Sequence, residues 1–311
     1  MIYVLSAVAI VLLALPGVAH RWGRRLHPVD WSAWCYRSLL GGAAAAETAV
    51  ALIAVPSVLD AVGMHGLAAV CAQMAGVASL PGAWLGWLAA CSAMVGPAMA
   101  WWTRRVARRA DREIACAALL SPILRLDGTD IRVLPLDRPL AVSLRANGGL
   151  IVISSALTST LSTPQLSAVV RHERAHLKYR HHRQLIVAAW IESVLGVFPP
   201  TRRSTQVLRT AVERAADEEA AHGGGGRRGE VRSALLAVVL ADTPVGIAAF
   251  SSTHTIVERI RSLDDPAPNR DRRWWAGIPI LSMTGVGGAA GAIAVVQVGT
   301  AILMYFNCPF L

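Results

Sequence analysis

Apolar residues in this chain come in long runs rather than in the stripes of a soluble fold. Ile2–Ala19 is nearly free of charge, Ser38–Leu59 carries one carboxylate, Glu47, and the stretches Gly63–Trp102 and Trp274–Leu303 carry no Asp, Glu, Lys or Arg. A helix needs about 20 mostly apolar residues to cross a bilayer, so the pattern predicts a polytopic membrane protein, mainly α. Gly63–Trp102 is long enough for one span or two. Two would put the Arg104–Arg112 cluster outside, against the excess of basic residues on the cytosolic side. One span, Ala83–Trp101, is therefore expected, with 63–82, broken at Pro81-Gly82, as an outer amphipathic or re-entrant loop. The expectation is four transmembrane helices with both termini extracytoplasmic. Residues 1–102 hold three spans, 103–273 a cytosolic domain, and 274–311 the fourth span and a short outer tail.

Between spans three and four the pattern changes. Thr103–Leu124 reads as a basic helix. Short β-type runs follow at Ile131–Pro135 and Leu140–Arg145, and Asn147-Gly148 leads into Leu150–Ser154 as in a hairpin. Thr163-Pro164 reads as an N-cap followed by proline in the first turn of a helix running to about Arg180. Leu185–Phe198 forms another helix, ended by Pro199-Pro200. A helix with Glu213 and Asp217 runs up to Gly223–Gly226, and Val231–Ala241 and Thr255–Leu263 complete an inserted α+β domain.

Composition agrees with the membrane reading, at 54% hydrophobic and 16% charged residues. The net charge of +10 is nearly all arginine, Lys178 being the one lysine. The arginines flank the apolar runs, which marks topology and contact with lipid headgroups rather than direct nucleic-acid binding. Ile2–Ala19 leads into an arginine-rich loop without a small-residue cleavage site, so it reads as an anchor. Of five cysteines, none has ligand spacing, and all but Cys116 fall in or near apolar runs and read as buried small hydrophobes; Cys71 and Cys308 share the outer side, where a disulfide is an alternative. Glu47 is costly within a span and is a functional candidate. Gly287 and Gly291 suit close helix packing, including a homodimer.

The chemistry concentrates at His172-Glu173-Arg174-Ala175-His176. Two histidines four apart share one helical face and can reach one Zn²⁺, while Glu173 lies beside them as a base for an attacking water. A hydrolytic zinc site needs a third protein ligand and an open position. Glu213 is the candidate ligand. Asp217, one turn on, is the candidate acceptor for the free N–H of a ligand histidine. His181 and His182 are rival ligands that helical spacing turns to other faces.

These motifs, with Leu150–Ser154 ahead of them and Glu213-Arg-Ala-Ala-Asp217 after, resemble the BlaR/MecR-type membrane zinc metallopeptidases and, more distantly, the HtpX and CAAX-prenyl-protease peptidases. The resemblance implies a zincin-like fold of the gluzincin type. It implies one catalytic zinc on His172, His176 and Glu213, with Glu173 as base. It points to His254 and Arg259 as oxyanion or substrate contacts, although Thr255 stands where the relatives carry proline and the His–Arg spacing is one residue short. It also implies that Leu150, Ile151, Val152, Ile153 and Ser154 form the edge strand that pairs with substrate. The antibiotic-sensing relatives carry a penicillin-binding domain beyond the last span, and no Ser-x-x-Lys follows it here, so no such sensor is expected. The function expected is an endopeptidase that cleaves a cytosolic protein in regulated signalling, a winged-helix repressor or itself. A quality-control protease for membrane proteins and a non-catalytic, zinc-stabilised signalling scaffold are the alternatives.

Overall fold

The computed structural model describes residues 2–23, 25–76, 83–144, 149–222, 226–241 and 249–264. It is mainly helical with one small mixed sheet. The helices α1 (Ile2–Val18) and α3 (Pro28–Ala61) are joined through the single turn α2 (His20–Gly23) and pack on each other. They approach closely. The Ser38 hydroxyl donates to the Leu12 carbonyl at 2.7 Å, and a Cβ on Gly42 would lie 2.8 Å from Leu13 Cγ. Among the described residues α3 is the helix long and apolar enough to cross a bilayer, while α1 is apolar but has 17 residues. The expected fourth span, with Gly287, Gly291 and Cys308, lies outside the described residues, as does the expected Asn147-Gly148 turn. Cys35 and Cys71 are buried, whereas Cys91 and Cys116 are exposed, against the expectation for Cys91.

The expected outer loop contains a helix, α4 (His65–Ala75), which packs on α3 and ends at Gly76 in the left-handed conformation, φ 74°. The third expected span and the basic helix are one element. This helix, α5 (Ala83–Leu119), has 37 residues and is about 55 Å long.

The sheet has the strands β1 (Ile123–Leu126), β2 (Thr129–Leu134), β3 (Ala141–Leu144) and β4 (Leu150–Ser154), in the order β1-β2-β4-β3. The first strand is absent from the sequence reading, although its signal is plain: Asp127-Gly128 joins β1 and β2 with φ 49° and 70°, the two-residue turn that suits a hairpin. β4 pairs in parallel with β2 and antiparallel with β3. Its Ile151 and Ile153 pack with Leu157, Leu166 and Val170, while Val152 packs on the opposite face with Ala115 and Ala118 of α5. A strand buried on both faces must be apolar at every position. That is why Leu150–Ser154 is central and not, as expected, an edge.

After β4 come α6 (Ser155–Thr160), α7 (Thr163–Lys178), α8 (His181–Leu195), α9 (Pro199–Ala221), α10 (Arg227–Ala241) and α11 (Ala249–Asp264). The cap of α7 is Ser162, one residue earlier than expected; its N–H donates to the Gln165 side chain at 2.9 Å. Pro199 and Pro200 open α9 rather than only closing the helix before it, as suits proline in a first turn. Leu208, Ala211 and Val212 of α9 share one buried cluster with Leu13 of α1, Trp34 and Leu39 of α3, and Ile191 of α8. The apolar helices α1 and α3 therefore close against the helix that carries Glu213.

Candidate metal centre

α7 presents His172, Glu173 and His176 to the interior because its other face is locked. Arg171, beside His172, donates to the Ala220 carbonyl of α9 at 3.0 Å, to Glu230 of α10 at 2.6 Å and to Asp127 of the β1–β2 turn at 3.2 Å. The metal-ligating atoms of His172, Glu173 and His176 lie within 4.8 Å of one another. The two histidine Nε2 atoms are 3.0 Å apart, and Glu213 brings its carboxylate to 3.5 Å from His172 Nε2 and 3.7 Å from His176 Nε2. Tetrahedral ligands at about 2.0–2.1 Å from a zinc ion stand about 3.3 Å apart, so the two ring nitrogens and the carboxylate are spaced near one coordination shell. Two ring nitrogens face each other across 3.0 Å, and both Nδ1 atoms are engaged elsewhere. A proton between the rings or a shared metal ion satisfies this contact. The donor set fits a metal.

Asp217, one turn after Glu213, places Oδ1 2.9 Å from His172 Nδ1. That accepts the Nδ1–H and leaves the Nε2 lone pair for a metal. Asp217 is itself held by Arg259 of α11, whose Nε and Nη2 donate to its two oxygens at 2.7 and 2.8 Å. Arg259 Nη1 also lies 3.3 Å from Glu213. Asp217 is buried, at 2% exposure, and Arg259 is largely covered, at 15%. Burial opposes ionisation of Asp217, but Arg259 and His172 outweigh it and hold the carboxyl well below the usual range. Burial likewise works against ionised Glu213, yet His172 and Arg259 bring it to about 2. Burial would lower His172, but Asp217 and Glu213 reverse the sign and raise it to about 10; His176 is lowered by burial and by His172. Two acids thus hold the positive charge of His172 in a largely buried place, and Arg259 in turn keeps the acids ionised.

His181 does not point away, as helical spacing suggests. Arg180 takes φ 53°, α8 restarts from it, and the fully buried His181 turns back to place Nδ1 3.0 Å from His176 Nδ1. It stands behind His176 rather than on the metal-facing edge, which corrects its place as a rival ligand. No residue type at 180 signals that turn. His254 falls on α11, and its side chain lies outside the described residues.

A recess of about 280 Å³ opens beside the centre. Glu173, His172, Asp217 and Arg259 form one wall, and Leu157, Val169, Leu235 and Val238 line the apolar remainder. Leu140 and Ala141 at the start of β3 form its rim, so the strand beside the site is β3 and not Leu150–Ser154.

Residues 141–201 match Peptidase family M48, a stretch from β3 to the first turn of α9 that contains the His-Glu-x-x-His segment and ends before Glu213, Asp217 and Arg259. The match supports a metallopeptidase of that family, whose members are metal-dependent and act on proteins. No curated protein and no solved structure matches the chain.

Breaking a buried, forked ion pair from one side leaves an uncompensated charge, at a cost of roughly 3–5 kcal/mol. Arg259→Leu is expected to lower the thermal unfolding midpoint of the detergent-solubilised protein clearly, whereas Arg232→Leu, which removes an exposed pair with Asp264, leaves it nearly unchanged. Equal midpoints for the two variants would show that the fork adds nothing.

Proposed function

We propose that this chain is a zinc-dependent endopeptidase anchored in the cell membrane, with its cleft in the cytosol and an extended protein segment as substrate. The reading is carried by one observation: Nε2 of His172, Nε2 of His176 and the Glu213 carboxylate meet at 3.0–3.7 Å, with Glu173 alongside. Zinc bound there supplies Lewis acidity to water and to the scissile carbonyl. Glu173 takes the proton of the attacking water and delivers it to the leaving amine. Asp217 keeps His172 in the tautomer that offers Nε2. Arg259 has its fork committed to Asp217, so it acts through that carboxylate and by its charge on the cleft wall; His254 is a further candidate on the same helix.

The edge strand β3 supports a specific mode of substrate binding. Ser154 N–H donates to the Leu140 carbonyl at 2.8 Å, and antiparallel pairs alternate, so residues 142 and 144 face β4. Ala141 and Ser143 turn their backbone N–H and C=O groups to the open side, where an extended substrate adds as a strand with little sequence preference. The apolar recess beside Glu173 then favours a medium-sized apolar side chain next to the scissile bond. Resemblance to repressor-cleaving relatives makes a cytosolic repressor the favoured substrate and signalling the favoured role. A base placed beside the ligand set argues against a purely structural scaffold.

Glu173→Ala should retain one zinc per chain and lose cleavage by roughly 10²–10⁴-fold. Comparing new protein N-termini in cells carrying wild type or the variant tests this; identical sets would overturn the catalytic assignment. The cytosolic placement predicts that a reporter fused after Gly226 is active only as a cytosolic enzyme, and an extracytoplasmic signal would refute it.

A further inference from the structure

His181 contributes to neither the metal shell nor the cleft, yet it is fully buried and aimed at a ligand. Three features put it there. Arg180 adopts the left-handed conformation, uncommon for a residue with a Cβ, and so reverses the chain within two residues of the end of α7. The Tyr179 ring stacks on His181 at 5.6 Å between centroids. The Tyr179 hydroxyl in turn donates to Glu219 of α9 at 2.6 Å, on the helix that carries Glu213 and Asp217.

The tautomers follow from the contact. His176 directs Nε2 toward His172 Nε2, so as a ligand it must keep its proton on Nδ1. The one ring atom facing that proton is Nδ1 of His181, at 3.0 Å, which must then accept. The proton of neutral His181 falls on Nε2, a buried atom without a hydrogen-bond partner among the described residues. A buried donor left unpaired costs stability. The return on that cost lies at His176.

Resting on the metal-site reading above, we infer that His181 is the positioning residue of His176: its Nδ1 accepts the His176 Nδ1–H and fixes tautomer and ring orientation, as Asp217 does for His172. The two ligand histidines thus have unlike partners. A carboxylate strengthens the donor character of His172, while a neutral imidazole fixes His176 without adding negative charge. A carboxylate behind His176 as well would be a fourth acid beside Asp217, Glu213 and Glu173; His181 supplies the acceptor without that charge.

The test exploits the shapes of the two amides. The side-chain oxygen of Asn reaches the place of Nδ1, whereas the amide of Gln reaches the place of Nε2. Full-length wild type, His181→Asn, His181→Gln and His181→Leu are purified in detergent. Zinc affinity is measured by competition with a chromophoric chelator, and the visible spectrum is recorded after loading with Co²⁺. The Asn variant is expected within a few-fold of wild type with an unchanged Co²⁺ spectrum. The Gln and Leu variants are expected to bind zinc roughly 10–100-fold more weakly, with altered spectra. Should Leu fail to fold, the Asn and Gln pair decides alone. Asn and Gln variants that behave alike, both intact or both impaired, would overturn the inference while leaving the metal site standing. A wild-type chain that takes up no zinc would overturn both.

Discussion

Two carboxylates one turn apart on α9 reach two histidines one turn apart on α7, and the orientation of the helices follows from that contact. Asp217 is 2.9 Å from the Nδ1 of His172, and Glu213 is within 3.7 Å of both Nε2 atoms. The spacing works because residues four apart share a helical face. None of the four side chains is stable in that place alone. Buried acids need cations and adjoining imidazoles need something to share. Arg259 answers the first need from α11, and a metal would answer the second. Arg171 fixes the rotation of α7 from its other side, with contacts to α9, α10 and the β1–β2 turn.

The helix that brings Glu213 and Asp217 to the centre is also the one that packs on the N-terminal helices. Ser204 of α9 accepts the Gly17 N–H at 3.0 Å, and Leu208 and Val212 lie in one buried cluster with Leu13, Trp34 and Leu39. Protein interiors are close-packed and transmit small shifts. A displacement of α1 against α3 therefore has a direct route to the Glu213 carboxylate, with no intervening domain. On the proposed membrane reading, what happens in the bilayer and what happens at the centre share one core.

Much of the centre was legible in the residues. The His172–His176 pair and the Glu213–Asp217 pair are local patterns, and each keeps its meaning on any regular helix. What depended on three-dimensional context was not. His181 turns back only because Arg180 takes a positive φ, and no residue type at 180 announces it. The fork of Arg259 depends on where α11 docks. The edge strand is different, since Leu150-Ile151-Val152-Ile153 has no alternation, the pattern of a strand buried on both faces, while the edge placement rests on the resemblance alone. Asp127-Gly128 likewise signals the β1–β2 hairpin. The longer helices follow from the apolar pattern, whereas α6 does not, α5 joins two expected elements, and helix ends shift where proline and capping residues decide them, as at Ser162 and Pro199.

The most direct measurement is X-ray absorption at the zinc edge on the purified full-length protein, with metal content determined in parallel. One zinc per chain with two imidazole nitrogens and carboxylate oxygen at roughly 2.0–2.2 Å is the expected result, and the carboxylate contribution should disappear when Glu213 is replaced by Ala. A chain without stoichiometric zinc, or a zinc shell unchanged by Glu213→Ala, would contradict a centre built from His172, His176 and Glu213.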